Sequence, residues 1–241
     1  MRNVMKRGCG LVLGMLLVTG AQAADGGGVG FSRNRLVFPA SERAISLTVQ
    51  NHGQDPQKDV FLVQASVGVD ASQTQRAPFV VTPPLFRLDA NSQNEMRIVP
   101  TGANLPSDRE SVFYFAATVI PSTPDKGKAG VSQVTFATRT ILKLFWRPQK
   151  LAMTPQASWD KVRFIRDGNA VVVKNPTPYY QSFASLSFDG REQNLNAGPS
   201  MVSPFGELRL PVNGGARSVT WQVMNDYGGP TAKKTQPVVA G

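Results

Sequence analysis

The segment Ile45-Ser46-Leu47-Thr48-Val49-Gln50 alternates apolar and polar residues. Successive side chains of a β-strand point to opposite faces, so the alternation indicates a strand with one buried and one exposed face. Val112–Ile120 is rich in aromatic and β-branched residues, which is typical of a buried strand. Glycine and proline clusters interrupt such segments at short intervals, and no convincing amphipathic helix is present. The pattern predicts an all-β protein made of antiparallel sandwiches.

The length of 241 residues fits one or two domains, and two sandwiches of roughly 100 residues each would account for it. A long strand is predicted from Val131 to Trp146. It ends at Arg147-Pro148, because proline cannot donate to a strand ladder. The composition then loosens, so we place one domain at 24–148 and a second at 149–241.

The second half resumes the strand pattern. Asp167-Gly168 separates two apolar segments and predicts a hairpin, because this dipeptide readily adopts the positive φ angles of a tight turn. Val219–Met224 predicts a further strand, and the tail after Pro230 is expected to fray.

Residues 1–23 have the features of a cleaved secretory signal. Arg2, Lys6 and Arg7 precede the apolar run Leu11–Val18, and Ala21-Gln22-Ala23 fits an A-x-A cleavage site. An uncleaved anchor is the alternative, but the apolar run is short for a bilayer span. No later segment has a long uncharged apolar run, so we expect no membrane insertion after cleavage.

Composition excludes several kinds of chemistry. The single cysteine, Cys9, lies in the signal, so the remainder can form no disulfide, thiol nucleophile or thiolate metal site. The formal net charge is +10; the signal holds three of the 26 basic and none of the 16 acidic residues, which leaves +7. These basic residues are scattered singly, which argues against nucleic acid as a partner.

Nothing in the sequence nominates a catalytic centre. His52, the only histidine, lies in a polar turn without the partners that a metal site needs. No G-x-S-x-G elbow and no phosphate-binding loop is present. We therefore expect no enzyme activity, no cofactor and no metal, although an exported enzyme remains a third reading.

Five segments along the chain carry a further signal. These are Thr82-Pro83-Pro84-Leu85-Phe86-Arg87-Leu88, Leu105-Pro106-Ser107-Asp108-Arg109-Glu110-Ser111, Leu142-Lys143-Leu144-Phe145-Trp146-Arg147-Pro148, Asn175-Pro176-Thr177-Pro178-Tyr179-Tyr180 and Val223-Met224-Asn225-Asp226-Tyr227-Gly228-Gly229. In their sequence and their order, they resemble the periplasmic pilus-assembly chaperones of the chaperone/usher pathway, the PapD-like family.

The resemblance implies two immunoglobulin-like β-sandwich domains arranged as a boomerang around a cleft. It also implies a periplasmic protein that binds pilus subunits, each an immunoglobulin-like fold lacking its last strand. Such a chaperone stabilises and caps the subunit by lending it a strand, and then delivers it to an outer-membrane usher.

The strand to be lent corresponds to Val131–Thr140 in this sequence. The family's inserting residues fall on Val134, Phe136 and Thr138. Thr138 departs from the aliphatic residue that is usual there, and Ser66 replaces a frequent tryptophan. The short connection before the donor strand, from Pro121 to Gly130, resembles the short-loop branch of the family.

Two further sets of residues match family positions. Arg35 and Lys143 match a cation pair that binds the C-terminal carboxylate of the subunit, and Lys143 lies in the opposite strand phase from Phe136. Asp89, Arg147 and Asp226 match an ion network between the domains, with Asp89 at a position where glutamate is more usual.

A structural or adhesive surface protein built from immunoglobulin-like domains is the competing reading. It would need neither the cation pair nor the long alternating strand. Cell fractionation separates the two readings, because a chaperone stays in the periplasm and a pilus component leaves with the pili.

Overall fold

The computed structural model describes residues 28–122, 136–212 and 216–241, and most of these lie in β-strands or the short turns between them. The strands of the first half are β1 (Val29–Phe31), β2 (Leu36–Pro39), β3 (Ile45–Asn51), β4 (Phe61–Gly68), β5 (Phe79–Thr82), β6 (Leu85–Leu88), β7 (Gln93–Pro100), β8 (Ser111–Pro121) and β9 (Thr138–Arg147).

The second half begins with a single helical turn, α1 (Pro155–Ser158), for which the side chain of Thr154 provides the N-cap. Its strands are β10 (Arg163–Asp167), β11 (Ala170–Lys174), β12 (Gln181–Phe188), β13 (Arg191–Glu192), β14 (Met201–Val202), β15 (Glu207–Pro211), β16 (Ser218–Val223), β17 (Lys234–Pro237) and β18 (Val239–Ala240).

Each half forms its own sandwich around its own core. In the first, the sheet β1-β3-β7-β5 packs on the sheet β2-β9-β8-β4-β6. In the second, the sheet β15-β11-β10-β18 packs on β13-β12-β16-β17, with β14 paired to β12. Alternation produces the inner faces, as in β3, where Leu47 and Val49 are fully buried and Ser46 is exposed. The all-β prediction is confirmed.

The chain crosses from one sheet to the other between β1 and β2, and this crossing shapes the edge of the first domain. β1 pairs with β3 in one sheet, whereas β2 pairs in parallel with β9 in the other. β2 is four residues long and pairs only with Leu144–Arg147, the last part of β9. No other described strand lies beside Thr138–Lys143 on that side.

The structure confirms the predicted hairpin, contradicts the predicted frayed tail and describes only part of the predicted long strand. The predicted hairpin is present as β10 and β11, but Asp167 still pairs with Ala170, so the turn lies on Gly168 and Asn169, with φ 60° at the glycine. The expectation of a frayed tail is wrong, because β17 pairs with β16 and β18 pairs with β10. The predicted strand from Val131 begins at Thr138 among the described residues; the signal and residues 131–135 lie outside them.

A buried asparagine fastens a loop in each domain. Asn51 donates to the carbonyls of Asp59 and Asp89. Asn175 donates to the carbonyls of Tyr179 and Ser203, at 2.7 and 2.9 Å. Its Oδ1 accepts from the backbone N–H and the hydroxyl of Thr177. These bonds satisfy backbone groups that the loops would otherwise bury without a partner.

Asn175→Ala should lower the free energy of unfolding of the second domain by about 3 kcal/mol, because it leaves several buried polar groups unpaired at roughly 1–3 kcal/mol each. Urea unfolding followed by tryptophan fluorescence measures the change. Asn196→Ala is the matched control, since Asn196 is exposed on a loop of the same domain. Equal stability of the two variants would contradict this role.

Candidate functional site

Arg35 and Lys143 lie side by side at the point where β2 begins. Leu36 pairs with Leu144 in the parallel ladder, so the residues just before them are neighbours in register. Leu142 and Leu144 face the sandwich core, and Lys143 therefore points to the opposite face of the sheet, as the strand phase predicts. The structure thus brings the two predicted cations together.

Arg35 is buried at the junction of the two domains, with 9% of its surface exposed. Its Nη1 donates to the carbonyl of Met224 in the second domain at 3.0 Å, and its guanidinium lies 4.6 Å from the centre of the Phe145 ring. Its Nε has no hydrogen-bond partner among the described residues. Arg35 is therefore held in place and still has donor capacity left over.

Arg35 and Lys143 carry like charges close together. The ion pairs within the described residues include neither Arg35 nor Lys143. Burial lowers the pKa of Lys143, and the nearby charge of Arg35 lowers it further. Burial also lowers the pKa of Arg35, while Glu110 and Asp226 act in the opposite direction. An anion placed between these two cations would relieve their repulsion.

Arg147 joins the domains through a partly buried ion network. Its Nη1 and Nη2 donate to the two carboxylate oxygens of Asp226, both at 2.7 Å, and its Nε donates to Glu110 at 2.8 Å. Burial lowers the pKa of Arg147, but the bonds and charges of Asp226 and Glu110 outweigh that effect and raise it. The guanidinium also lies over Tyr179, 5.1 Å from the ring centre.

Glu110 is the partner of Arg147 that the sequence reasoning missed. It is 4% exposed, and its second oxygen accepts from the backbone N–H of Tyr180 at 2.9 Å. Burial raises its pKa, and the charge of Arg147 acts against that rise. Ser111 pairs with Trp146, so Glu110 stands opposite Arg147 across the β8–β9 pair. The register of this pair is the signal that could have found it.

Asp89, expected in this network, is placed elsewhere. Its carboxylate accepts from Nε of Arg87 at 2.6 Å, and both side chains are exposed. The short Arg87–Asp89 spacing along the chain makes this local pair available without any contact to the second domain. The structure brings together Arg147 and Asp226, and it puts Glu110 in the third position.

Two of the three predicted donor residues are among the described residues: Phe136 lies just before β9, and Thr138 is its first residue. Phe136 is 79% exposed, so it does not pack in the core of its own domain. Thr138 is exposed and pairs with Val119 of β8 as the first residue of the strand. Val134 lies outside the described residues. Ser66 lies on β4, where its hydroxyl bonds Oε1 of Gln73 at 3.1 Å.

Two family descriptions match nearly the whole described chain. Residues 28–152 match "Pili and flagellar-assembly chaperone, PapD N-terminal domain", and residues 157–235 match "Pili assembly chaperone PapD, C-terminal domain".

The chain belongs to the PapD-like family of pilus-assembly chaperones.

Its relatives in this family include the probable fimbrial chaperone protein ElfD of Escherichia coli K12, 35% identical over 219 residues that cover 90% of each chain. The chaperone protein FimC of Escherichia coli O6:H1 is 34% identical over 229 residues, which cover 94% of this chain and 90% of FimC.

Solved structures of PapD-like chaperones agree. A chain in the structure of Salmonella enterica SafA pilin with the SafB chaperone matches with a TM-score of 0.77 and 31% identity, and the match covers 88% of this chain and 97% of that one. The Escherichia coli chaperone DraB gives 0.75 and 32%, with the same coverage. The prediction of two immunoglobulin-like sandwich domains is confirmed. In the described residues, no helix is long and apolar enough to cross a membrane.

Replacing Glu110 by glutamine should destabilise the protein far more than replacing Asp89 by asparagine. Removing one partner of a buried ion pair costs about 3–5 kcal/mol, whereas an exposed pair contributes about 0–1 kcal/mol. Arg147 keeps Asp226, so we expect a loss of about 3 kcal/mol for Glu110→Gln. Urea unfolding of both variants measures the difference, and comparable losses would place Asp89 in the network after all.

Proposed function

We propose that this chain is a periplasmic chaperone that binds pilus subunits by completing their β-sheet, caps them and delivers them to an outer-membrane usher. The observation that carries the proposal is the open edge of β9, which ends at two cations that form no ion pair with another described residue. ElfD is a probable fimbrial chaperone, FimC is a chaperone, and SafB is a chaperone in complex with the SafA pilin, which supports the same function.

The open edge suits an added strand. β9 pairs with β8 along most of its length, but β2 covers only Leu144–Arg147 on the other side. The backbone groups of Thr138–Lys143 that point away from β8 are therefore free to bond a new strand. Added strands gain affinity from such backbone bonds and specificity from alternate side chains.

The geometry also sets the direction of the added strand. A strand added beside Thr138–Lys143 would be in line with β2 on the same side of β9. It must therefore end where β2 begins, at Arg35. If its last residue meets Arg35 and Lys143, it runs in the same direction as β2, and β2 is parallel to β9. The subunit's last strand would therefore lie parallel to β9, with its carboxylate between the two cations.

A chain terminus fits this pair chemically. A carboxylate offers two anionic oxygens, and bonds between charged groups are about twice as strong as neutral ones. Because Arg35 is fixed by Met224 and Phe145, the carboxylate would meet a donor that is already oriented. The cations would thus set the register of the added strand, and with it which side chains of β9 meet which pockets.

Side-chain contacts with the subunit fall to residues that precede and begin β9. We propose that Val134, Phe136 and Thr138 enter the groove of the subunit. Phe136 is the main anchor, because burial of one large apolar side chain contributes roughly 1.5–3 kcal/mol. Thr138 fills its pocket less completely. Binding of this kind uses no cofactor, no metal and no catalysed reaction.

We also propose that residues 1–23 are removed on export, that the first domain ends at residue 148, and that the two domains enclose the expected cleft. Arg147 supports the last point, since its bonds to Asp226 and Glu110 join the domains directly beside the cation pair. The network orients the two walls, and its partners are Glu110 and Asp226.

Lys143→Ala should abolish capture of the subunit and leave the fold intact, because Lys143 points away from the core and forms no ion pair within the described chain. The pilus subunit encoded beside the gene for this chain is co-expressed and recovered with tagged chaperone. Lys161→Ala, an exposed lysine of the second domain, is the matched control and should capture normally. Undiminished capture by Lys143→Ala would contradict the proposal.

Binding should weaken with rising pH before ordinary lysines lose their charge. The folded-state pKa of Lys143 is lowered from 10.5, so its proton is lost at a lower pH, and the attraction to a carboxylate is lost with it. Fluorescence anisotropy of a labelled peptide, the last strand of that subunit with a free carboxylate, measures this loss. Lys143→Arg should retain binding at the higher pH, and an identical pH profile for both proteins would exclude Lys143 as the titrating group.

A further inference from the structure

The loop at residues 225–229, which follows β16, is fixed by its own hydrogen bonds. Oδ1 of Asn225 accepts from the backbone N–H groups of Tyr227 and Gly229, at 2.9 and 3.1 Å. The backbone N–H of Asn225 donates to the carbonyl of Gly229, and that of Gly228 donates to the carbonyl of Asn225. Gly228 has φ 83°, a conformation that a residue with a side chain rarely adopts.

The first domain holds this loop and the residue before it, Met224, at three points. Arg35 donates to the carbonyl of Met224, Arg147 binds the carboxylate of Asp226, and Nδ2 of Asn34 donates to the carbonyl of Gly228 at 2.9 Å. A Cβ at Gly228 would collide with the side chain of Asn34. The loop is therefore seated closely on the segment that carries Arg35.

Tyr227 lies in the middle of this fixed stretch, and its side chain is 95% exposed. Its neighbours on both sides, Asp226 and Gly228, are bonded to Arg147 and Asn34 of the first domain, so its backbone is held against the segment that carries Arg35. Tyrosine provides a large amphipathic contact surface with few rotatable bonds, and it is enriched among residues that dominate binding energy. A pre-positioned backbone also reduces the entropy lost on binding.

We propose that Tyr227 packs against the last residues of the bound subunit and so forms part of the recognition site for its C-terminal strand. This rests on the proposed function, since the subunit is the occupant. The proposed strand ends at Arg35, and Arg35 donates to the carbonyl of Met224, the residue just before the loop. Tyr227 is three residues further along the same chain, so we infer that the ring contacts the final side chains of that strand. Tyr227 is a binding residue contributed by the second domain, whereas the open edge belongs to the first.

The test uses the same peptide, synthesised once with a free carboxylate and once with a C-terminal amide. Tyr227→Ala should weaken binding of the carboxylate peptide about tenfold or more. Its unfolding midpoint should stay unchanged, because the side chain is exposed. Tyr227→Phe should keep most of the affinity, since the ring makes the contact. Val239→Ala, at an exposed apolar residue on the edge strand β18, is the control and should bind normally.

The outcomes separate this inference from the proposed function. If Tyr227→Ala binds as tightly as the unaltered protein while Lys143→Ala and the amide peptide do not bind, the inference is overturned and the proposed function stands. If Lys143→Ala and the amide peptide both bind normally, the proposed function fails. A loss in Tyr227→Phe as large as that in Tyr227→Ala would exclude packing of the ring as the source of affinity.

Discussion

The short length of β2 is the constraint on which the rest of the site depends. β9 has ten residues and β2 has four, so no described strand pairs with the first part of β9 on the side away from β8. An open edge of this kind invites association and is normally blocked. Here it ends at Arg35 and Lys143, two cations without an anion among the described residues. A free strand edge with two cations at one end suits the binding of an added strand in a single register.

The second domain contributes to the site by holding Arg35, which lies at the end of the free edge of β9. Arg147 is bonded to Asp226 across the domains and to Glu110 within its own, and Arg35 is bonded to the carbonyl of Met224. The ion pair between the partly buried Arg147 and the buried Glu110 is costly to break, because removal of one partner leaves a charge without compensation. We infer that the network sets the orientation of the two domains, so that the second domain keeps a fixed position relative to the edge of β9.

The sequence predicts some parts of this arrangement well and others not at all. The alternation of apolar and polar residues predicts strands such as β3. In such a strand every second side chain is buried, and the sequence is therefore apolar at every second position. The residues do not identify Glu110 as the partner of Arg147, because that pairing depends on the register of β8 against β9. The polar segment Lys234–Pro237 carries no local strand signal, and its pairing with β16 comes from tertiary contact. Arg35 and Lys143 are identified only through the family resemblance, because a lone arginine or lysine in a sequence looks like any solvated surface charge.

Backbone hydrogen exchange in β9 tests the central claim most directly. In the free protein, the N–H groups of Thr138–Lys143 that point away from β8 have no described strand to bond, so they should exchange quickly, while those bonded to β8 are protected. With the pilus subunit bound, the first set should become protected as well. If those groups exchange equally fast with and without the subunit, no strand is added at this edge and the account is wrong.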